Sequence, residues 1–207
     1  MADEDPGHIA ALVLAGGRAR RLGGADKPGI TIAGRSLLAS VTAAALDAGA
    51  SRVVVVGPAR AEVTGARVLF AIESPPGAGP VPALRAGLAH VSEPWLFLLA
   101  ADLPFLSSAC LEKVRRAAKD AVAGALVTDR EGRPQWLLSC WRTGPISTAL
   151  DEYGGGSLGG LLAPLHPAQV AIGTEPGQPP PWLDCDTAED LAAARAFAER
   201  DNKEGTR

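Results

Sequence analysis

The run Ile9–Ala15 is apolar at every position and breaks at once into a turn crowded with glycine and positive charge. Between residues 16 and 27 stand four glycines (Gly16, Gly17, Gly23, Gly24), three arginines (Arg18, Arg20, Arg21) and Lys27. A short continuous apolar run bounded by such a turn reads as a strand buried on both faces. Glycine has no Cβ to hold a ligand away from the backbone, and a curved row of free N–H groups makes an anion-binding concavity. A buried strand that feeds a glycine-rich, cationic turn has the layout of a phosphate cradle.

The rest of the chain alternates strand and helix signals. Helical spacing is expected over Ser36–Ala50, with Leu37, Leu38, Val41, Ala45 and Leu46 on one side and an end near Gly49. Val53–Val56 is a β-branched strand closed by Gly57-Pro58, and Val68–Ile72 is a further short strand. Val81–Val91 carries Leu84, Leu88 and Val91 at helical spacing. Trp95–Ala100 is a third buried strand, and a helix follows over Ser107–Ala121 with Ser107 or Ser108 as its N-cap. Strands are expected at Ala125–Thr128, Trp136–Trp141 and Gln169–Ile172, and a last helix at Ala188–Glu199. Continuous apolar strands alternating with helices predict an α/β fold: one Rossmann-like three-layer domain whose mostly parallel sheet is covered on both faces. The domain is expected over residues 9–200, after a disordered segment 1–8 and before a polar tail 201–207.

Composition narrows the function. The chain has 207 residues, 47% hydrophobic and 21% charged, which suffices for a substantial core. Its net charge of −3 and 4% aromatic content speak against a nucleic-acid partner, which calls for a basic face or stacking platforms. Within this acidic chain, the cations of the glycine loop focus attraction for an anion on one place. The three cysteines (Cys110, Cys140, Cys185) are widely spaced and the histidines number three, so neither a zinc site nor a disulfide framework is expected. The acidic start, Met1–His8, has no apolar core of a secretory signal, and no apolar run is long enough to span a bilayer. A cytoplasmic protein with no membrane partner is the expectation.

The phosphate cradle is not a P-loop, because Lys27 follows Asp26 and precedes Pro28. A GxGxxG spacing does occur at Gly154-Gly155-Gly156-Ser157-Leu158-Gly159. It follows a segment that reads as helix, Thr148–Tyr153, where a dinucleotide fingerprint requires a strand. That stretch is expected to be a connector, able to close over a bulky ligand. Asp102 stands directly after the strand Trp95–Ala100. In an open α/β sheet, ligands lie beyond the carboxyl ends of the strands, so this carboxylate either holds a hard cation such as Mg²⁺ or caps the following turn beside Pro104. Arg130, Arg133 and Gln135 read as an exposed charged turn. Trp136 and Trp141, five apart on one strand, are expected on opposite faces.

Four segments, in order along the chain, resemble the molybdenum-cofactor guanylyltransferase (MobA-like) family of nucleotidyltransferases. The first resembles LAGGxSxRxGxDK and supplies Leu14, Ala15, Gly16, Gly17, Arg21, Gly23, Asp26 and Lys27; Ala19 stands where the family has serine, and Gly24-Ala25 replaces a single residue. The second is Gly79-Pro80-Val81-Pro82-Ala83-Leu84, similar to a GPLAG-type segment beside the nucleotide base, with Pro82 unusual there. Glu73 lies where an acidic residue reads guanine. The third is Leu98–Pro104, whose Asp102 matches the family's Mg²⁺-binding aspartate. The fourth is Leu183-Asp184-Cys185-Asp186-Thr187-Ala188-Glu189-Asp190-Leu191, in which Asp184 and Asp186 replace two asparagines and Ala188 a proline.

The resemblance implies a nucleotide-diphospho-sugar transferase type of fold and Mg²⁺-dependent transfer of GMP from GTP to molybdopterin. Arg21, Lys27 and Asp102 then act in catalysis. Leu14, Ala15, Gly16, Gly17, Lys27, Glu73, Gly79 and Pro80 bind the nucleotide, Asp102 and Asp184 hold the metal, and the turn of Arg130, Arg133 and Gln135 approaches the acceptor. Partners are the nucleoside triphosphate, a phosphorylated pterin acceptor and, transiently, molybdenum-cofactor enzymes or insertion proteins. CTP as donor, a sugar-phosphate acceptor, and a non-catalytic nucleotide- or cofactor-binding module remain open alternatives.

Overall fold

In the computed structural model, β1 (Ile9–Leu14) is buried at every position, as its unbroken apolar sequence requires. The structure describes residues 8–16, 27–173, 178–185 and 187–204. A small antiparallel hairpin, β2 (Thr31–Ile32) and β3 (Arg35–Ser36), precedes α1 (Leu37–Asp47). Ser36 Oγ accepts the Ala39 N–H at 3.2 Å and caps that helix. Then come β4 (Val53–Val56), β5 (Val68–Ala71), α2 (Pro80–Leu88), β6 (Trp95–Ala100) and α3 (Ser108–Lys119), the last capped by Ser107. The chain continues through β7 (Gly124–Thr128), β8 (Pro134–Arg142), α4 (Thr143–Glu152), α5 (Leu158–Leu162), β9 (Ala168–Ala171) and α6 (Ala188–Glu204).

The main sheet has seven strands in the order β5-β4-β1-β6-β8-β7-β9. β8 runs antiparallel to both neighbours, and all other pairings are parallel. Alternate residues of β1 supply two cores. Ile9, Ala11 and Val13 pack with α1 and α3, while Ala10, Leu12 and Leu14 pack with α2, α4 and α5. These are the three layers expected from the sequence.

Several local expectations change. The β2–β3 hairpin and α5 have too few residues for a periodic signal, and α5 occupies part of the glycine stretch read as a connector. Ser157 Oγ accepts the Gly160 N–H at 3.1 Å and starts a helix there. The segment read as helix from Thr148 starts earlier, at Thr143, and α6 runs on to Glu204, past its expected end at Glu199. The disordered segment expected at the N-terminus lies outside the described residues, except for His8.

Trp136 and Trp141 do not face opposite sides; both pack into the α2/α4/α5 layer. Leu126 of β7 pairs with Ser139, but the next residue, Val127, pairs with Gln135. Trp136, Leu137 and Leu138 are therefore extra in β8, and this bulge breaks the alternation that put the two indoles on opposite faces. Ser139 pins it: its buried Oγ lies 2.7 Å from the Trp136 carbonyl and accepts the Trp141 indole N–H at 2.7 Å.

The amino ends of β4 and β6 are tied by Glu93, which is buried. Its Oε1 accepts from Ser51 Oγ at 2.6 Å and Arg52 Nε at 2.8 Å, and its backbone carbonyl accepts from Thr143 Oγ1 at 2.7 Å. Arg142 also lies over the Trp95 ring, 4.6 Å from its centroid. Burial pushes the Glu93 carboxyl up, but hydrogen bonds from Ser51 and from the Ser92 and Glu93 backbone, together with the Arg52 charge, outweigh it and hold it below the ordinary value. A lowered carboxyl adds stability above its unfolded pKa and loses it as pH falls through the folded one. The stability gap between wild type and Glu93→Gln, measured by urea unfolding, should therefore be largest near neutral pH and shrink as pH falls through the carboxylate range. A gap independent of pH would contradict the assignment.

α2 sits close to the sheet because Gly87 lacks a side chain. A Cβ there would lie 2.0 Å from Leu12 Cδ1 and 2.8 Å from Val56 Cγ2, both inside the core. Gly87→Ala should cost about 1–3 kcal/mol through overpacking. An unchanged urea midpoint would mean that the seat of α2 is looser than described.

Candidate active site

The carboxyl ends of β1, β4, β5 and β6 lie along one edge, and β8, being antiparallel, delivers its first residues to the same edge. The chain goes from β1 outward to β4 and β5 and then returns to β6 on the other side of β1. The crevice between β1 and β6 is thus the topological switch point, where open α/β sheets bind ligands. Two backbone bonds set its rim: the Ala15 N–H donates to Val56 O at 2.9 Å, and the Ala101 N–H to Leu14 O at 3.2 Å.

Leu14 and Ala15 are buried at this rim and Gly16 is exposed. The backbone is crowded beneath them. A Cβ on Gly57, the residue after β4, would lie 3.1 Å from the Ala15 carbonyl carbon, and φ there is +157°. Lys27 opens the 3-10 turn Lys27–Gly29. Gly17, Arg21, Gly23, Ala19, the Gly24-Ala25 pair, Asp26 and Asp186 lie outside the described residues.

Glu73, beyond the end of β5, is buried and faces Gly16: a Cβ on that glycine would lie 3.4 Å from Glu73 Oε1. The same oxygen accepts the Gly77 N–H at 2.8 Å, closing the loop that leads to α2. Gly79 ends that loop with φ +111°, a conformation L side chains rarely adopt, and serves as N-cap of α2 without a side-chain capping bond. Pro80 and Pro82 lack N–H groups, so the first turn offers the Val81 N–H but little else to a phosphate.

Asp102 and Asp184 line one cleft of about 680 Å³ together with Pro80, Gln135, Trp136 and Ser157. Its floor includes Ala100 and Leu138, and Trp182 lines it from the segment before Asp184. Pro80 joins this cleft to the loop closed by Glu73. The structure thus brings together the expected metal ligands and part of the expected nucleotide contacts. Leu14, Ala15, Gly16 and Glu73 occupy the neighbouring part of the same edge.

The charged turn Asp129–Arg133 behaves as expected. Asp129 Oδ1 accepts the Glu131 and Arg133 backbone N–H groups at 3.0 and 2.8 Å, and Oδ2 accepts Arg133 Nε at 2.8 Å. Burial raises the Asp129 carboxyl, but the bonds from Arg133 and its charge prevail and lower it. The engaged turn presents Pro134, Gln135 and Trp136 to the cleft. Gln135 falls in the turn that the resemblance places near the acceptor, Trp136 was given no part in a site, and the β8 bulge that re-aims Trp136 has no signature in the hydrophobic alternation. Cysteine chemistry finds no support: burial pushes the Cys110 thiol up to about 11 against the opposing charge of Lys113, and raises Cys140 further.

The end of β1 and the cleft of Asp102 and Asp184 adjoin at this switch point, on a fold shared with nucleotidyltransferases. The MobA-like NTP transferase domain matches residues 11–192, and the chain belongs to that family. It is 33% identical to a molybdenum cofactor guanylyltransferase of Rhodopseudomonas palustris, across 93% of this chain and 95% of that one. Among solved structures, a nucleotidyl transferase from Methanothermobacter superposes with a TM-score of 0.74 at 18% identity, covering 93% of this chain and 98% of that one. The molybdopterin-guanine dinucleotide biosynthesis protein A of Archaeoglobus fulgidus superposes with a TM-score of 0.70 at 18% identity, covering 92% and 99%. These two likenesses concern the fold.

The clamp on the loop before α2 is directly testable. Glu73→Ala should raise the exchange rate of the Gly77 amide by about tenfold or more, the equivalent of one lost hydrogen bond. An unchanged rate would show that the carboxylate does not hold the loop.

Proposed function

We propose that the protein transfers GMP from GTP to the phosphate of molybdopterin, giving molybdopterin guanine dinucleotide and pyrophosphate. The observation that carries this is the position of the end of β1, at Leu14–Gly16, beside the cleft of Asp102 and Asp184 at the switch point. The names of the relatives supply the substrates.

The donor set suits Mg²⁺. This ion takes one or two carboxylates and completes its shell with water and substrate phosphates. Two aspartates in a shared cleft meet that requirement, and among the described residues no group of three or more acidic, histidine or cysteine side chains forms an all-protein metal cage. Asp102 and Asp184 would hold the ion, which would neutralise charge on the triphosphate.

The remaining work is done by the chain itself. The backbone of Leu14, Ala15, Gly16 and Gly17 receives the triphosphate, and Arg21 and Lys27 balance the charge of the departing pyrophosphate. Gly79 and Pro80 bound the nucleotide next to the carboxylate of Glu73, an acceptor suited to the donor edge of guanine. An oxygen of the acceptor phosphate attacks the α-phosphorus as the bond to the β-phosphate oxygen breaks. That oxygen is already largely ionised at neutral pH, so no side-chain base is required. Catalysis is then positioning plus charge stabilisation. The reading includes a cytoplasmic location, consistent with the lack of any helix long and apolar enough to cross a membrane among the described residues. It also includes transient hand-over of product to molybdenum-cofactor enzymes or insertion proteins.

Purified protein with molybdopterin, Mg²⁺ and each nucleoside triphosphate should release pyrophosphate fastest with GTP; a preference for CTP would overturn the guanylyl assignment. Asp102→Asn should lower kcat on the order of 10²–10³-fold with the melting temperature unchanged, the scale for losing one electrostatic group at a transition state. Full turnover in that variant would make Asp102 a turn residue.

A further inference from the structure

We infer that Trp136 is the platform on which the flat ring of the acceptor lies, and that it sets acceptor specificity. This rests on the acceptor being a phosphate ester of a planar heteroaromatic ring, as proposed above. The indole reaches the site edge through the β8 bulge rather than through strand alternation, and bulges beside active sites commonly re-aim one side chain. Ser139 holds the bulge from within the core, through the Trp136 carbonyl on one side and the Trp141 indole on the other. The platform is therefore fixed by buried hydrogen bonds before any ligand arrives.

The indole also has room made for it. A Cβ on Gly159 of α5 would lie 3.2 Å from Trp136 Nε1 and 3.5 Å from Cε2, so the ring edge rests against bare backbone. Trp136 is only partly covered, and it lines the same cleft as the apolar Pro134, Leu137 and Leu158 and the acidic Asp102 and Asp184. A ligand with a flat aromatic body and a phosphate terminus matches that mixed lining. The body stacks on the indole, and the terminus reaches the carboxylates, where the metal would compensate its charge. A sugar phosphate has no π-face to stack on the indole.

Two measurements decide the matter, one with turnover and one without. In the pyrophosphate assay, Trp136→Ala should raise KM for molybdopterin about tenfold or more, the scale of losing an aromatic stacking partner, with KM for GTP unchanged. Trp136→Phe should restore most of the loss, because it keeps an aromatic face, and it guards against misreading a folding defect. An unchanged acceptor KM in Trp136→Ala, or a rise in KM for GTP in its place, would overturn the proposal.

In the second measurement, a hydroxymethylpterin phosphate is titrated against tryptophan emission without nucleotide. The quench should vanish in Trp136→Phe and persist in Trp182→Phe. A quench that survives Trp136→Phe, or no quench in the wild type, would likewise overturn it. Should the wild type fail to use molybdopterin, the functional reading fails on that result, while the quench still judges the platform separately.

Discussion

Everything at the functional edge depends on β1 being paired in parallel on both sides. Six residues of β1 align with six of β6, and four with β4, so the ends of three strands are locked in register. Gly16 and Asp102, each two residues past its strand, are thereby brought to the same edge although about 85 residues of chain separate them. A strand buried on both faces slips register only by exposing its core side chains or losing its ladder bonds, and either loss exceeds what a marginally stable domain can absorb. The site inherits its precision from this core.

The two ends of the sheet carry different kinds of interaction. At the amino ends of β4 and β6, polar groups are satisfied by one another: Glu93 with Ser51 and Arg52, Thr143 with the Glu93 carbonyl, and Arg142 over Trp95. At the carboxyl ends lie glycines in unusual backbone conformations, a buried carboxylate closing a loop, and an open cleft with two aspartates. The first end stabilises. The second keeps charge and backbone arranged for a ligand, an arrangement with little benefit to the protein alone.

The sheet was legible in the sequence where burial was complete. Val53–Val56 and Trp95–Ala100 match the observed strands residue for residue, because unbroken β-branched and apolar runs closed by Gly-Pro or Asp leave little choice. The N-cap of α3 was narrowed to Ser107 or Ser108, and the structure uses Ser107. Legibility failed where partners decide geometry. Whether β8 runs parallel or antiparallel is set by its neighbours, and its bulge arises from a mismatch with β7 that no periodicity in β8 alone encodes. Asp102 and Asp184 were legible as candidates by strand end and by resemblance, and their shared cleft came from the fold. The face of Trp136 was misjudged by strand alternation, because its placement depends on Ser139 and on the absence of a side chain at Gly159.

In the proposed reaction the nucleotide donates its α-phosphoryl group, with the base and sugar, across this crevice to an acceptor phosphate. This is tested most directly by incubating the protein with molybdopterin, Mg²⁺ and GTP radiolabelled at either the α- or the γ-phosphate. The α-label should appear in the pterin product and the γ-label in free pyrophosphate. Transfer of the γ-label to the acceptor, or release of the α-label as free GMP with no labelled pterin, would contradict it.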